Sequence, residues 1–268
     1  MPESFDKLSR CFLERSPSNK IDLMKALTVN DDCLLDVLQQ GGGKQVEFPA
    51  RGDVGYPDNL KLVDAKFLPK RSLKTLEGHG AFFHAICHIE YTAINLALDA
   101  ALYFAQLPLA YYRDWLQIAK EEACHFELLQ GHLREIGFQY GDFDAHSGMW
   151  DLAERTADDL LLRMALVPRV LEARGLDVTP PMIKRLTQAG DLAGASLLQR
   201  IYEDEISHVA AGTRWFKFVA KQRGLEPEDA FQRAVKSEFG TLRANKLNRE
   251  GRVLAGFTEN ELNRLVSL

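Results

Sequence analysis

The segments Glu122-Ala-Cys-His125 and Glu205-Ile-Ser-His208 share one pattern, a glutamate followed three residues later by a histidine. Side chains three positions apart lie on the same face of an α-helix, so each pair could reach one common point. One such pair is weak evidence, because glutamate and histidine often meet at this spacing by chance. The positions of two other glutamates make the pattern informative.

A glutamate precedes each pair at almost the same distance. Glu90 lies 32 residues before Glu122, and Glu172 lies 33 residues before Glu205. A separation of this size fits one helix, a short connection and a returning helix. Each half of the pattern therefore predicts an antiparallel helix pair. Two such pairs predict a four-helix bundle with four carboxylates and two imidazoles at one level of its core.

Helix-breaking residues divide the chain into segments that agree with this bundle. Helices are predicted at about Leu73–Ala105, Leu109–Ile136, Thr156–Gly175 and Asp191–Gln222. Since helices two and three must run parallel, a long crossover has to connect them. Few segments show strand periodicity, so the predicted fold class is all-α.

Finer features of the bundle follow from single residues and short segments. Thr156-Ala-Asp-Asp159 resembles a capping box and marks the predicted start of helix three. A short helix at Ser147–Ala153 is predicted inside the crossover, and a separate short segment at Pro181–Gln188. Pro168 lies within helix three and predicts a kink close to Glu172. This kink either shapes the site or is a tolerated irregularity.

Helical signals also flank the bundle on both sides. The prediction divides the chain into an N-terminal helical and extended wrap (residues 1–72), the bundle (residues 73–224) and a C-terminal helical extension packing on the bundle (residues 225–268). Helices are predicted in these flanking parts at Phe5–Glu14, Lys20–Ala26, Asp32–Gln40, Pro227–Asn245 and Glu259–Val266, and the Gly41–Gly43 run ends the third of them.

Carboxylates and imidazoles in this number are typical of a metal site. Carboxylates can bridge two cations, and imidazole adds a donor that suits iron. Four ionised glutamates in a core without metal would be very unfavourable, and apolar neighbours such as Ile94 and Ile201 indicate burial rather than a solvated surface. The predicted cofactor is a pair of transition-metal ions, iron first and manganese second. The predicted ligands are Glu90, Glu122, His125, Glu172, Glu205 and His208.

Several neighbouring residues have open roles. Tyr202 could hydrogen-bond a ligand or be oxidised near the site, or it could be an ordinary core tyrosine. Cys87 and Cys124 could support the ligands or simply pack. His84 and His88 are predicted to point away from Glu90 and are not counted as ligands.

Composition limits the function classes. The 268 residues carry a formal net charge of −5 without a dense basic run, which argues against a dedicated nucleic-acid binder, although a tRNA substrate stays open. The chain begins without an apolar signal and has no long apolar stretch, which predicts a cytoplasmic protein that does not enter a membrane. Four cysteines without a CxxC pair indicate reduced thiols.

These motifs resemble known families. The segment Glu90–Asn95 resembles the first-helix motif of bacterioferritins, and the two glutamate–histidine pairs resemble the ligand motifs of ferritin-like proteins. A longer similarity, over nearly the whole chain, is to an uncharacterised bacterial ferritin-like family, a domain of unknown function. It is carried by His84–Glu90, Tyr112–Trp115, Tyr140–Phe143, Val167–Asp177, Asp204–Val209 and Arg214–Phe216, and it extends to Phe48–Arg51 and Ala255–Phe257. Asn95 departs from this family, which usually has glutamate there.

The resemblance implies a ferritin-like four-helix bundle with a long crossover between helices two and three, and the same six metal ligands. A more distant similarity is to a bacterial di-iron tRNA hydroxylase. The leading hypothesis is an oxygen-activating di-iron oxidoreductase, with no catalytic residue assigned and with a small-molecule or macromolecular substrate. Two alternatives stay open: a ferroxidase, iron-handling or peroxide-protection protein without an organic substrate, and an interaction module with a structural metal.

Overall fold

The computed structural model describes residues 3–41, 48–68, 72–240 and 247–266. These residues form α-helices, two 3₁₀ turns at Arg51–Asp53 and Ala65–Phe67, and one isolated bridge between Leu62 and Ala145, with no strand among them. The all-α prediction is confirmed. The chain divides into two compact units, Met1–Trp150 and Asp151–Leu268. None of the described helices combines the length and apolar character that crossing a membrane requires.

The first unit is built on two long helices, α4 and α5. Tyr111 donates a hydrogen bond of 3.0 Å to the carbonyl of Ala100, and the rings of Phe83 and His132 lie 4.5 Å apart. Since later residues of α5 meet earlier residues of α4, the two helices are antiparallel. The helices of this unit are α1 (Glu3–Leu13), α2 (Pro17–Ala26), α3 (Asp32–Gln39), α4 (Leu76–Tyr103) and α5 (Leu109–Glu135).

A network of buried hydrogen bonds attaches the N-terminal segment to α4. Lys20 of α2 is fully buried, and its Nζ donates to Asn95 Oδ1 at 2.6 Å and to the Gly55 carbonyl at 3.2 Å. Tyr91 donates to the same carbonyl at 3.1 Å. A buried polar group is tolerated only when it is hydrogen-bonded, so these bonds determine where the segment around Gly55 lies.

The second unit contains a helix interrupted by a wide turn. The helix α7 (Leu160–Leu166) leads into a π-helical turn at Val167–Glu172, and α8 (Ala173–Ala189) follows directly. The helix α9 (Leu192–Gln222) returns after a two-residue connection. The unit boundary falls within α6 (Gly148–Arg155), and the C-terminal part forms α10 (Pro227–Phe239), α11 (Arg249–Leu254) and α12 (Glu259–Val266).

The predicted start of helix three at Thr156 is wrong. Asp159 is the N-cap, because its side chain accepts from the Leu161 amide at 2.8 Å, and the helix begins at Leu160. Thr156 instead donates to the Leu152 carbonyl at 2.9 Å and accepts from Arg163 Nε at 2.9 Å. Its hydroxyl therefore joins α6 to α7, which leaves it no role as a cap.

The predicted end of helix three at Gly175 is also wrong, because α8 continues through Pro180 and Pro181 to Ala189. A proline lacks the amide that would bond to the carbonyl four residues earlier, which for Pro180 is that of Leu176. Asn248 Nδ2 donates to this carbonyl at 3.0 Å. The side chain replaces the missing backbone donor, so the segment predicted as separate at Pro181–Gln188 belongs to α8.

The replacement of the missing backbone donor by the Asn248 side chain predicts that mutations at Asn248 and Pro180 are energetically coupled. We expect Asn248→Ala to lower the free energy of unfolding by about 1–3 kcal/mol, since the partly buried Leu176 carbonyl loses its donor and α11 loses its N-cap. In a Pro180→Ala background the backbone amide returns, and the same change should be less destabilising by about 1 kcal/mol. Urea unfolding of the two single variants and the double variant measures this coupling. Strictly additive effects would contradict the assignment.

Other helix boundaries follow the prediction more closely. Asp191 caps α9 as predicted, accepting from the Gly194 amide at 2.7 Å, and α12 has the predicted bounds. The helix α11 was not predicted, since it has only six residues. The predicted continuation of α10 to Asn245 reaches beyond the described residues; α10 ends at Phe239. Gly42 and Gly43, which the prediction used to end α3, also lie outside them.

A buried ion pair holds α12. Arg169 of the π-helical turn donates to Glu261 Oε1 at 2.7 Å, and both side chains have no exposed surface. The guanidinium carbon lies 4.0 to 4.6 Å from the centres of three aromatic rings, those of Phe231, Phe257 and Phe216. The second oxygen of Glu261 accepts from the Thr258 amide at 2.9 Å. The charge is thus enclosed by a carboxylate and three ring faces.

Candidate metal centre

Three predicted ligands meet in the first unit. Glu90 of α4 faces Glu122 and His125 of α5, and His125 Nδ1 lies 3.2 Å from Glu90 Oε2 and 3.4 Å from Glu122 Oε2. One ligand atom from each residue lies within 4.8 Å of the other two. The three side chains are almost fully buried, with exposed fractions of 4%, 1% and 1%. The antiparallel pairing of α4 and α5 produces this meeting, as the spacing in the sequence predicts.

The electrostatics of this group are dominated by the two carboxylates. Burial by itself would lower the pKa of His125, but hydrogen bonds and charges from Glu122 and Glu90 raise it to about 11. Burial, together with the charge of Glu90, raises the pKa of the neighbouring Cys87 thiol. The carboxylates therefore create a strongly negative environment that favours a cation.

The donor set fits a metal ion. Two carboxylates and one imidazole are common ligands of divalent transition metals. They are buried here, and buried apolar residues such as Ile94 and Phe126 lie near them in the sequence. Buried charges are stable in such surroundings only when they are paired or coordinate a metal. The group Glu90, Glu122 and His125 could therefore hold a metal ion.

The second unit carries the other three predicted ligands on facing helices. His208 Nδ1 lies 3.5 Å from Glu205 Oε1 on α9, with His208 buried and the Glu205 side chain 14% exposed. Glu172 is the last residue of the π-helical turn, and one of its carboxylate oxygens is buried. Pro168 of that turn packs on Gly212 of α9. Because the helices are antiparallel, this contact places Glu172 at the level of His208.

Comparison with known proteins confirms the predicted membership of an uncharacterised family. Residues 13–263 match the family described as "Protein of unknown function (DUF455)". The chain belongs to this family. It is also 44% identical over 221 residues to an uncharacterized protein of Haemophilus influenzae (strain ATCC 51907 / DSM 11121 / KW20 / Rd), a match that covers 80% of this chain and 77% of that protein. No solved structure matches the chain significantly.

Two histidines of this DUF455 chain bind the segment that follows α5. His84 Nε2 accepts from the Gly141 amide at 2.9 Å. His88 Nε2 contacts the His146 carbonyl at 3.0 Å, and its Nδ1 contacts the Tyr140 hydroxyl at 2.8 Å. Since a carbonyl can only accept, His88 Nε2 carries the proton and Nδ1 accepts from Tyr140. Both rings therefore hold the segment 140–146 against α4.

Three further residues of the DUF455 chain have roles that the sequence leaves open: Tyr202, Cys87 and Cys124. The Tyr202 hydroxyl accepts from Asn248 Nδ2 at 2.8 Å, which agrees with a core tyrosine whose hydroxyl is satisfied. Cys87 is buried and Cys124 is exposed. Gly212 was not predicted as part of the site, although it follows His208 by one helical turn and ends the small-residue run Ala210-Ala211-Gly212. A run of small residues beside a ligand signals a close helix contact.

Proposed function

We propose that this protein is a di-metal carboxylate oxidoreductase that activates dioxygen. One observation carries the proposal: the buried group Glu90, Glu122 and His125, whose ligand atoms lie within 4.8 Å of one another. The proposed ligands of two transition-metal ions, iron first and manganese second, are Glu90, Glu122, His125, Glu172, Glu205 and His208.

The repeat in the sequence supports a second half of the site. Each unit has an antiparallel pair in which the first helix carries a glutamate and the second a glutamate–histidine pair. This proposal therefore takes the two pairs as a ferritin-like four-helix bundle within residues 73–224, with the segment after α5 as the crossover. Residues 1–72 would be its wrap and residues 225–268 its C-terminal extension. The separation of 32 and 33 residues in the two halves is the basis for this step.

The charge, the donor atoms and the burial of the proposed ligands determine the chemistry that the site can support. Bound iron or manganese would supply the change of oxidation state that oxygen chemistry requires. The carboxylates of Glu90 and Glu122 offset the positive charge of the cations, and His125 adds a nitrogen donor. The low exposure of all three side chains keeps bulk water away, which strengthens electrostatic interactions within the site.

Metal content of purified variants tests the ligand assignment. We expect about two transition-metal ions per chain after purification without chelator, and affinities at least about 100-fold weaker in Glu122→Gln and in Glu205→Gln, because each loses a charged donor while keeping its shape. The matched controls are Glu127→Gln and Glu203→Gln, two exposed glutamates on the same helices. Inductively coupled plasma mass spectrometry and metal titration give the numbers.

Oxygen consumption tests the reaction class. Protein loaded anaerobically with Fe(II) is exposed to oxygen in the presence of a chemical reductant. Consumption that continues for many turnovers supports an oxidoreductase, while consumption that stops after one oxidation of the bound iron contradicts it. Absence of bound metal, or full metal content in both Glu122→Gln and Glu205→Gln, would refute the proposed site.

A further inference from the structure

The π-helical turn Val167–Glu172 determines the direction of the Glu172 side chain. Pro168, its second residue, has no amide hydrogen, and a proline ring displaces the carbonyl of the preceding turn. A π turn contains one more residue than an α turn and accommodates this displacement. One residue corresponds to a rotation of about 100° in an α-helix, so loss of the π turn would redirect Glu172.

Gly212 of α9 allows this turn to lie where it does. A Cβ atom added to Gly212 would stand 2.3 Å from Pro168 Cβ and 2.5 Å from Pro168 Cγ. Carbon atoms in contact are normally separated by about 3.5–4.0 Å. Neither side can yield easily, because one is a rigid ring and the other is the backbone of a long helix. The close approach therefore requires glycine at this position.

The contact lies one helical turn from two proposed ligands. Gly212 follows His208 by four residues on α9, and Pro168 precedes Glu172 by four residues. Because α9 runs antiparallel to this segment, a displacement at the contact would be transmitted to the level of Glu172 and His208.

We propose that Gly212 is a positioning residue for Glu172. By lacking a side chain, it lets the Pro168 ring pack on α9, which stabilises the π turn and directs the Glu172 carboxylate toward His208. This inference rests on the proposed function, in which Glu172 and His208 bind metal. It assigns to Gly212 a role in metal affinity beyond its role in packing.

Cobalt titration tests the proposal, with Co(II) as the probe because its visible absorption reports both binding and coordination. We expect Gly212→Ala to weaken the binding of at least one Co(II) ion by about tenfold or more and to alter its spectrum, as Glu172→Gln does. In the double variant, Gly212→Ala should add little to the effect of Glu172→Gln, since both changes remove the same interaction.

The matched control is Gly175→Ala, the same substitution on α8 three residues after Glu172, where an added Cβ meets no atom within 4 Å. It should leave Co(II) binding unchanged and stabilise the helix slightly. All titrations are made at a temperature where circular dichroism shows each variant to be folded. A Gly212→Ala protein that is less heat-stable but binds Co(II) like the wild type would overturn the inference.

The design separates failure of this inference from failure of the proposed function. A wild-type protein that binds no Co(II) refutes the metal site itself, and the inference with it. If the wild type binds Co(II) and Glu172→Gln binds it more weakly, but Gly212→Ala binds it as tightly as the wild type does, only the role of Gly212 is refuted. Additive effects of the two substitutions in the double variant refute it as well.

Discussion

Replacement of Glu261 by glutamine is expected to lower the free energy of unfolding by about 3–5 kcal/mol, because the buried guanidinium of Arg169 would lose its counter-charge. Glutamine keeps the shape but only one acceptor oxygen, so either Arg169 or the Thr258 amide also loses its acceptor, and the expected loss combines the charge with one hydrogen bond. Both side chains of the pair are fully buried, and three aromatic rings lie around Arg169, so bulk water offers the guanidinium little compensation for the lost charge.

Urea unfolding compares this variant with Glu259→Gln on the same helix. Glu259 pairs with Arg249, but the side chain is 64% exposed, and such pairs contribute at most about 1 kcal/mol. A further variant, Arg169→Met combined with Glu261→Leu, should recover most of the lost stability, since apolar residues of similar size can replace a buried ion pair. Equal losses in Glu261→Gln and Glu259→Gln would contradict the prediction.

The contribution of Lys20 to stability is expected to increase between pH 6.5 and 8.5. Burial lowers the pKa of Lys20 from 10.5 to about 7. Above pH 7 the folded protein has released this proton while the unfolded chain keeps it up to about 10.5, so the unfolded state binds more protons and stability increases with pH. Below pH 7 both states hold the proton, and the contribution is constant. Up to pH 8.5 the contribution of Lys20 should increase by about 2 kcal/mol. The pKa of His125, raised to about 11, contributes a decrease of similar size, because above pH 6.5 the unfolded chain releases this proton while the folded protein keeps it. The Lys20 contribution is therefore the difference between the wild type and Lys20→Met.

The measurement is urea unfolding across this pH range for the wild type, Lys20→Met and Lys25→Met. Across this range the stability of Lys20→Met should change with pH by about 2 kcal/mol less favourably than that of the wild type. Lys25→Met, which replaces an exposed lysine with a raised pKa on the same helix, should follow the wild type. Burial raises the pKa of Cys11 to about 12, which would reduce stability above about pH 9, so the range stops before that effect begins. The same pH dependence in Lys20→Met and in the wild type would contradict the prediction.

Local signals in the sequence were sufficient for much of the fold. The cap at Asp191 and the helical spacing within the glutamate–histidine pairs both act over a few residues. A cap or a helical face depends on neighbours in the chain, so these features can be predicted without tertiary structure. The meeting of Glu90 with Glu122 and His125 followed from the same reasoning.

Features that depend on distant partners could not be predicted in this way. The helix α8 passes through Pro180 and Pro181 because Asn248 supplies a donor from 72 residues away in sequence. Arg169 and Glu261 are separated by 92 residues, and Lys20 and Asn95 by 75. In the sequence alone, each of these residues is an ordinary polar side chain, and two adjacent prolines are an ordinary helix end.

The hydrogen bond that Asn248 donates to the Leu176 carbonyl of α8 can form only late during synthesis on the ribosome. Residues 173–189 leave the exit tunnel before Asn248 has been added to the chain, so the Leu176 carbonyl must bond to water at that stage. Glu261, the counter-charge of Arg169, is added later still. The second unit therefore completes its internal bonding only when its last two helices emerge, which makes the unit dependent on its C-terminal residues from the moment it folds.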